Sequence, residues 1–230
     1  MHSFYVPDIT AGVLPEEESL HAAKVLRLKE GDLVVLLDGK GGVYEAEITI
    51  PHPKKCGFLI CKTEQRTSGR DYRLHVAIAP TKNIDRFEWF IEKAVEIGVD
   101  EISPILCRYS ERKQLKPERV EKIMIAASKQ SIQSVFPILH PLTTFSELIT
   151  SSKESLKCIA HCYPQDKTEL KVALKGQQDL LILIGPEGDF SQEEVEAAIG
   201  KGFIPVSLSN SRLRTETAGL MVCATAALCK

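Results

Sequence analysis

The chain has 230 residues, with 29 Lys and Arg against 31 Asp and Glu, a formal net charge of −2. Such a balance excludes nucleic-acid binding driven by bulk charge. At 43% hydrophobic and 26% charged residues the composition excludes a disordered or fibrous chain, and no run approaches the roughly 20 apolar residues of a membrane-spanning helix. The size fits one or two domains. The start, "MHSFYVPDIT", lacks a basic segment followed by an apolar run, so a cytoplasmic protein without a secretion signal is expected.

In chain order, "ESLHAAKVLRLKEGD" comes first, with His21, Lys24, Val25 and Leu28 at helical spacing and Arg27 and Lys29 adding basic character. "GDLVVLLDGKGGVYEAEITI" holds two strand-like runs around a Gly-rich turn, a hairpin signal, and "CGFLICKTEQ" reads as a further strand. Short strands with Gly and Pro turns suggest a small barrel. The polar "QRTSGRDY" marks a boundary, which divides the chain into residues 1–69 and 70–230. Beyond it strands alternate with helices. "RLHVAIAP", "DEISPILC", "SLKCIAHCY", "DLLILIGP" and "FIPVSLS" are strands; "DRFEWFIEKAVEIGV", "KPERVEKIMIAASKQSI", "SQEEVEAAIGKG" and "TETAGLMVCATAALCK" are helices. That alternation predicts an α/β domain with a largely parallel sheet.

The seven cysteines (56, 61, 107, 158, 162, 223 and 229) are odd in number and lie mostly in apolar runs, so free thiols are expected. In "CIAHC", an extended strand puts Cys158 and Cys162 on one face and His161 on the other. No second pair at zinc spacing follows, and no metal site is expected. Between Arg108 and Lys129 seven basic residues, Arg112 among them, stand against three Glu, a local +4. This reads equally as a phosphate footprint or as a solvated helix face carrying a Glu118–Lys122 pair.

Three loops carry candidate chemistry. "GPEGDF" leaves the carboxyl end of an aliphatic strand, where ligands sit in open α/β sheets. Glu187 and Asp189 would repel a phosphate, and Ser191 with Glu194 forms a capping box on the next helix. No Gly-Lys-Ser/Thr of a P-loop is present. The loop therefore suits a ligand with hydroxyls, amides or positive charge, or it is a plain turn and cap. "LSNSRLRTETAG" also runs from strand to helix. Arg212 and Arg214 precede the positive end of that helix, a poor place for a cation unless an anion or an acid is nearby. The small residues that follow, including Gly219, allow close backbone approach or ordinary core packing. In "KNIDRFEWFIEKAVEIGV", Lys82 and Arg86 lie past a strand end, and Glu96 reads as structural charge pairing.

"HAAKVLRLKEGD", "DRFEWFIEKAVEIGV", "LILIGPEGDFSQEEV" and "SRLRTETAG", in this order and spacing, resemble the RsmE-type methyltransferases. That family methylates N3 of one uridine in bacterial 16S ribosomal RNA and belongs to the SPOUT, or trefoil-knot, superfamily. The resemblance spans essentially the whole chain, and "GPEG" together with "LRTETA" carries its specificity. It implies a PUA-like RNA-binding β-barrel over 1–69 and a SPOUT α/β domain with a deep trefoil knot over 70–230. It implies S-adenosylmethionine (SAM) as cofactor, a homodimer, and 16S rRNA or the small ribosomal subunit as partner. His161, Gly185, Glu187, Gly188, Leu208, Leu213 and Thr215 would line the cofactor pocket. Arg214 and Glu216 would be catalytic. His21, Lys24, Arg27, Lys82, Arg86, Arg112 and Lys129 would contact RNA. The chain departs from the family pattern at Asp189, where a second glycine is usual, and at Lys129 and Gln133, where Glu-Gln then Arg is common. Other readings are a SPOUT enzyme acting on a ribose 2′-hydroxyl, a non-catalytic ribosome-assembly factor, and a nucleotide-binding protein, which the loop acids disfavour.

Overall fold

The computed structural model describes residues 1–229. They form two compact units, Met1–Gly69 with Ile125–Phe136, and Arg70–Met124 with everything from Pro137 onward.

In the first unit β1 (His2–Tyr5) is followed by α1 (Glu16–Leu20), β2 (Leu33–Leu37), β3 (Gly42–Ile50) and β4 (Gly57–Gln65). They make one sheet in the order β1-β2-β3-β4. The β2–β3 hairpin turns at "DGKGG", where Gly39 and Gly41 take positive φ of 75° and 104°. Phe4, Leu14, Val34, Leu36, Ala46, Ile48 and Phe58 fill its core, as alternation along half-buried strands requires.

Two expectations are corrected in this unit. The helical face from His21 to Leu28 is cut short: after α1 a single wide π turn runs over His21–Val25, and Arg27 adopts a left-handed φ of 55°. Leu28 therefore lies off the helix, whereas His21, Lys24 and Arg27 remain exposed. Residues 125–136, assigned from sequence to the second domain, pack with the first unit. Gly41 N–H donates to the Ser134 carbonyl at 2.9 Å, Phe136 N–H donates to Gly39 at 3.0 Å, and the Tyr5 and Phe136 rings lie 5.0 Å apart. Gly39 is needed there, because a Cβ would stand 3.2 Å from the Phe136 ring.

The second unit contains β5 (Arg73–Ile78), α2 (Ile84–Ile97), β6 (Glu101–Leu106) and most of α3 (Pro117–Gln130). Next come β7 (Ile138–Leu139), β8 (Thr143–Thr144), α4 (Phe145–Ser151) and β9 (Leu156–Ala160). The chain ends through β10 (Thr168–Glu169), α5 (Leu170–Ala173), β11 (Asp179–Ile184), α6 (Gln192–Gly200), β12 (Ile204–Ser207) and α7 (Thr215–Cys229). The strand order is β10-β12-β9-β11-β5-β6-β7, with β8 also on β6, and every pairing is parallel. β11, the central strand, is buried from Leu180 to Ile184, as a strand covered on both faces must be. The apolar stripe of α2 (Phe87, Phe90, Ile91, Ala94 and Val95) is buried. Lys93 bridges Glu92 and Glu96 on the opposite side. The short elements β7, β8, β10, α4 and α5 had no counterpart in the sequence reading.

Candidate cofactor site

Adjacency in the sheet builds the site. β12, β9 and β11 are neighbours, so the loops leaving Ser207, Ala160 and Ile184 emerge side by side at one carboxyl edge. Side chains then lock these loops together. Thr215 Oγ1, at the start of α7, donates to the Gly185 carbonyl at 3.1 Å. Tyr163 Oη donates to the Phe190 carbonyl at 2.9 Å, and Lys167 Nζ donates to the carbonyls of His161 and Tyr163 at 2.9 and 2.8 Å. The capping box read from Ser191 and Glu194 is present and starts α6 directly behind the loop.

Asp189 adopts a left-handed φ of 67°, a conformation that Asp tolerates better than most residues. Its carboxylate accepts from Cys162 N–H and from Phe190 N–H, both at 2.8 Å. It thus clamps one loop to the next. Gly185 is closely hemmed in, because a Cβ there would meet the Phe190 ring at 3.1 Å.

Two adjoining cavities open between the loops. One, of about 280 Å³, is lined by Ile184, Gly185, Glu187, Asp189, Arg214 and Thr215, among others. The second, of about 260 Å³, is lined by His161, Lys167, Leu208 and the Ser209–Ser211 stretch. Both share Ala160, Cys162, Arg212, Leu213 and Ala218. A wider cleft beyond Arg214 is lined by Asp85, Arg86, Trp89 and Glu216. This is the usual form of a small-ligand site, an apolar floor with a few placed polar groups.

His161, Gly185, Glu187, Leu208, Leu213 and Thr215 thus come together on the cavity walls. Gly188 does not. It faces Tyr109, whose Cβ would lie 3.0 Å from an added Cβ, so this glycine serves loop packing. The strand at "CIAHC" stops at Ala160, and the alternation argued for Cys162 fails there. Cys162 is exposed, while His161 is buried and contacts Gln165. Burial and the nearby Lys167 ammonium hold the His161 imidazole below its ordinary pKa, which favours the neutral ring. Cys162, Lys167 and Arg212 were not singled out as lining residues. The only cue for them is their place after a strand end, and which strand ends adjoin is not written in local sequence.

Arg212 and Arg214 are exposed, and neither has an ion-pair partner among the described residues, so a neutralising acid does not explain their place before α7. Glu216 is only 7% exposed. One carboxylate oxygen lies 3.8 Å from Arg86 Nε and the other has no hydrogen-bond partner among the described residues. Gly219 is accounted for by packing, since a Cβ would lie 2.6 Å from the Phe90 ring and 2.9 Å from Ile78.

The basic stretch 108–129 is spent largely on internal contacts. Arg108 pairs with Glu193 and Arg119 with Glu88. Arg112 donates to the carbonyls of Thr81 and Lys82 at 3.0 and 2.7 Å. Lys129 is held by Glu18 at 2.6 Å, and Lys82 pairs with Glu111 at 2.7 Å. Arg112 and Lys129 thus each have partners within the chain, as Lys82 does.

Parallel strands, helices on the connections and three loops meeting at the carboxyl edge define an α/β domain with a candidate small-ligand site. The model of the RNA methyltransferase domain matches residues 69–227, and that of the RNA methyltransferase PUA domain matches residues 14–61. The chain belongs to the RNA methyltransferase family. It is 27% identical over 215 residues to the ribosomal RNA small subunit methyltransferase E of Buchnera aphidicola, covering 90% of this chain and 84% of that protein. It matches the crystal structure of a "probable rRNA-methyltransferase" from Porphyromonas gingivalis with a TM-score of 0.93 and 42% identity, over 100% of this chain and 99% of that one. It also matches the structure of a "putative methyltransferase" from Legionella pneumophila in complex with the bound cofactor SAM, with a TM-score of 0.89 and 27% identity, over 97% of this chain and 96% of that one.

Proposed function

We propose that the protein transfers a methyl group from SAM to N3 of a uridine in 16S rRNA of the small ribosomal subunit. The carrying observation is the shared cavity between the three loops, with Arg214, which has no ion-pair partner among the described residues, and the buried Glu216 on the adjoining cleft. The small-subunit specificity in the name of the Buchnera relative and the cofactor in the Legionella structure support the same reading.

The cavity fits SAM, which has no phosphate. Backbone groups of the glycine turn and the Asp189 carboxylate suit its ribose, amine and cationic sulfur, and Ile184, Leu208 and Leu213 suit its adenine. When bound it supplies an activated methyl group on a sulfonium. The protein's own part is chiefly positioning, which is worth up to ~7–11 kcal/mol in well-oriented cases. Arg214 aims a guanidinium at the uracil carbonyl oxygen where charge develops as N3 loses its proton. Glu216 takes that proton, and its low exposure together with an oxygen left without a partner suits this task. The base must be unpaired or flipped to present its Watson–Crick edge.

The trefoil knot, a barrel-like closure of the first unit, a homodimer and a cytoplasmic setting belong to the same proposal. The β-bulges at Glu45/Ala46 and Ile48/Ile50 and the Val13–Gly57 bridge favour a curled first sheet. The test is transfer of label from SAM to undermethylated small subunits, followed by nucleoside identification. Labelled 3-methyluridine is expected. Label on a ribose or on another base would overturn the substrate assignment.

A further inference from the structure

At the amino-terminal edge of the same sheet, opposite the cofactor loops, lies a second constellation. Strand register creates it. His75 on β5 pairs with Glu101 on β6, and Glu101 pairs with Ile138 on β7. Register partners on parallel strands share a face, and a period of two brings His140 and Ser103 onto that face as well. His75 and Glu101 are 5% and 4% exposed. An imidazole and a carboxylate so buried need hydrogen-bond or ion partners. The Glu101 carboxylate meets His140 Nε2 at 2.6 Å and also touches the Arg73 guanidinium. His75 Nδ1 is held by Glu154 at 2.7 Å, leaving Nε2 directed at Ser103 Oγ, 2.8 Å away. An open cavity of about 560 Å³ gives solvent access.

The geometry points to a binding site for a zinc-like divalent metal ion, with His75, Glu101 and His140 as ligands. One donor atom from each lies within 4.8 Å of the other two. A tetrahedral site, with bonds of about 2.0–2.2 Å, brings donors to about 3.3 Å, so side-chain motion of roughly 1 Å suffices. Two imidazoles and one carboxylate form a common zinc donor set with a fourth position for water or a hydroxyl. Glu154 on His75 supplies the outer carboxylate that orients a ligating histidine. Arg73 is the competitor, since a cation on Glu101 opposes a second one. The site lies away from "CIAHC". It depends on no assumption about methyl transfer.

The test uses the full chain without a histidine tag, stripped with a chelator. Zn²⁺ is titrated in competition with a chromophoric chelator, and Co²⁺ is added in parallel to read its visible absorption. The expected result is one ion per chain with a Kd of about 1 μM or tighter, and a Co²⁺ spectrum of a nitrogen- and oxygen-ligated site. His140→Ala, at a half-exposed ring, weakens Zn²⁺ binding about tenfold or more and removes the Co²⁺ bands. Arg73→Gln, which removes the competing cation, tightens binding about threefold or more. No stoichiometric ion in the unaltered chain, or an affinity unchanged by His140→Ala, would overturn the proposal. The Co²⁺ spectrum and Arg73→Gln keep the test decisive if His140→Ala folds poorly.

Discussion

Arg214 sits one residue before α7, where the helix dipole disfavours a cation, and no acid among the described residues neutralises it. A charge left free in this way is available to an electron-rich substrate. Arg214→Ala is expected to lower turnover by about 10²–10³-fold, the usual cost of losing a charge-stabilising donor, while SAM affinity measured by calorimetry changes only a few-fold. Glu216→Gln is expected to lower kcat by about 10²–10⁴-fold; unaltered kcat would remove it as the base. Asp189 permits a cleaner dissection. Its left-handed φ of 67° costs a side chain something, but its carboxylate holds Cys162 and Phe190. Asp189→Ala loses both bonds and keeps the strain, whereas Asp189→Gly relieves the strain. Denaturant unfolding should place the alanine variant about 1–2 kcal/mol below the parent and the glycine variant nearer to it; the reverse order would remove the clamp.

Among the elements, α7 depends on the absence of a side chain at Gly219, which lets it lie against Phe90 on α2 and Ile78 on β5. Gly219→Val would force atoms into a filled core. It should cost about 2–3 kcal/mol, seen as a Tm lower by about 2–4 °C per kcal/mol; an unchanged Tm would show that α7 can shift outward at no cost. Lys129, near the end of α3, is a second element-scale case. Its pair with Glu18 is partly shielded, with the side chains 22% and 12% exposed. Lys129→Ala should lower stability by about 1–2 kcal/mol, discounted from a fully buried pair for the solvent that reaches it. It should leave the salt dependence of RNA binding alone. Lys24→Ala and Arg27→Ala, at exposed side chains, should instead each reduce that dependence with little effect on Tm. The opposite pattern would restore Lys129 as the RNA contact.

At the scale of the whole molecule the seven cysteines report on the fold without mutation. Cys56, Cys107, Cys158 and Cys223 are buried. Burial pushes the Cys158 and Cys223 thiols up to about 12, so little thiolate forms at neutral pH. Alkylation of the native protein should therefore reach Cys61, Cys162 and Cys229 and spare the other four. Because Cys162 lines both cavities, SAM should protect it and leave Cys61 and Cys229 as reactive as before. Peptide mass analysis reads this directly, and equal labelling of Cys162 with and without SAM would move the cofactor elsewhere.

Local chemistry made much of this protein legible from its residues. The aliphatic run ending at Gly185, the Ser191–Glu194 capping box, the five-residue apolar stripe of α2 and the hairpin at "DGKGG" all act within a few residues, and each appears in the structure. Period and capping depend on near neighbours, so they can be read in one dimension. The partners of charged side chains depend on distant ones. Nothing near Lys129 announces Glu18, 111 residues away, and nothing near Arg112 announces the carbonyls of Thr81 and Lys82. The short β7, β8 and β10 lack a period long enough to detect, and the sheet alone stabilises them. The order of the strands belongs to the tertiary structure for the same reason. Each strand is apolar enough to lie beside several others, and only packing of the whole sheet decides that β12, β9 and β11 are neighbours. That choice brings three separate loops to one cavity, and at the opposite edge it brings His75, Glu101 and His140 to one face.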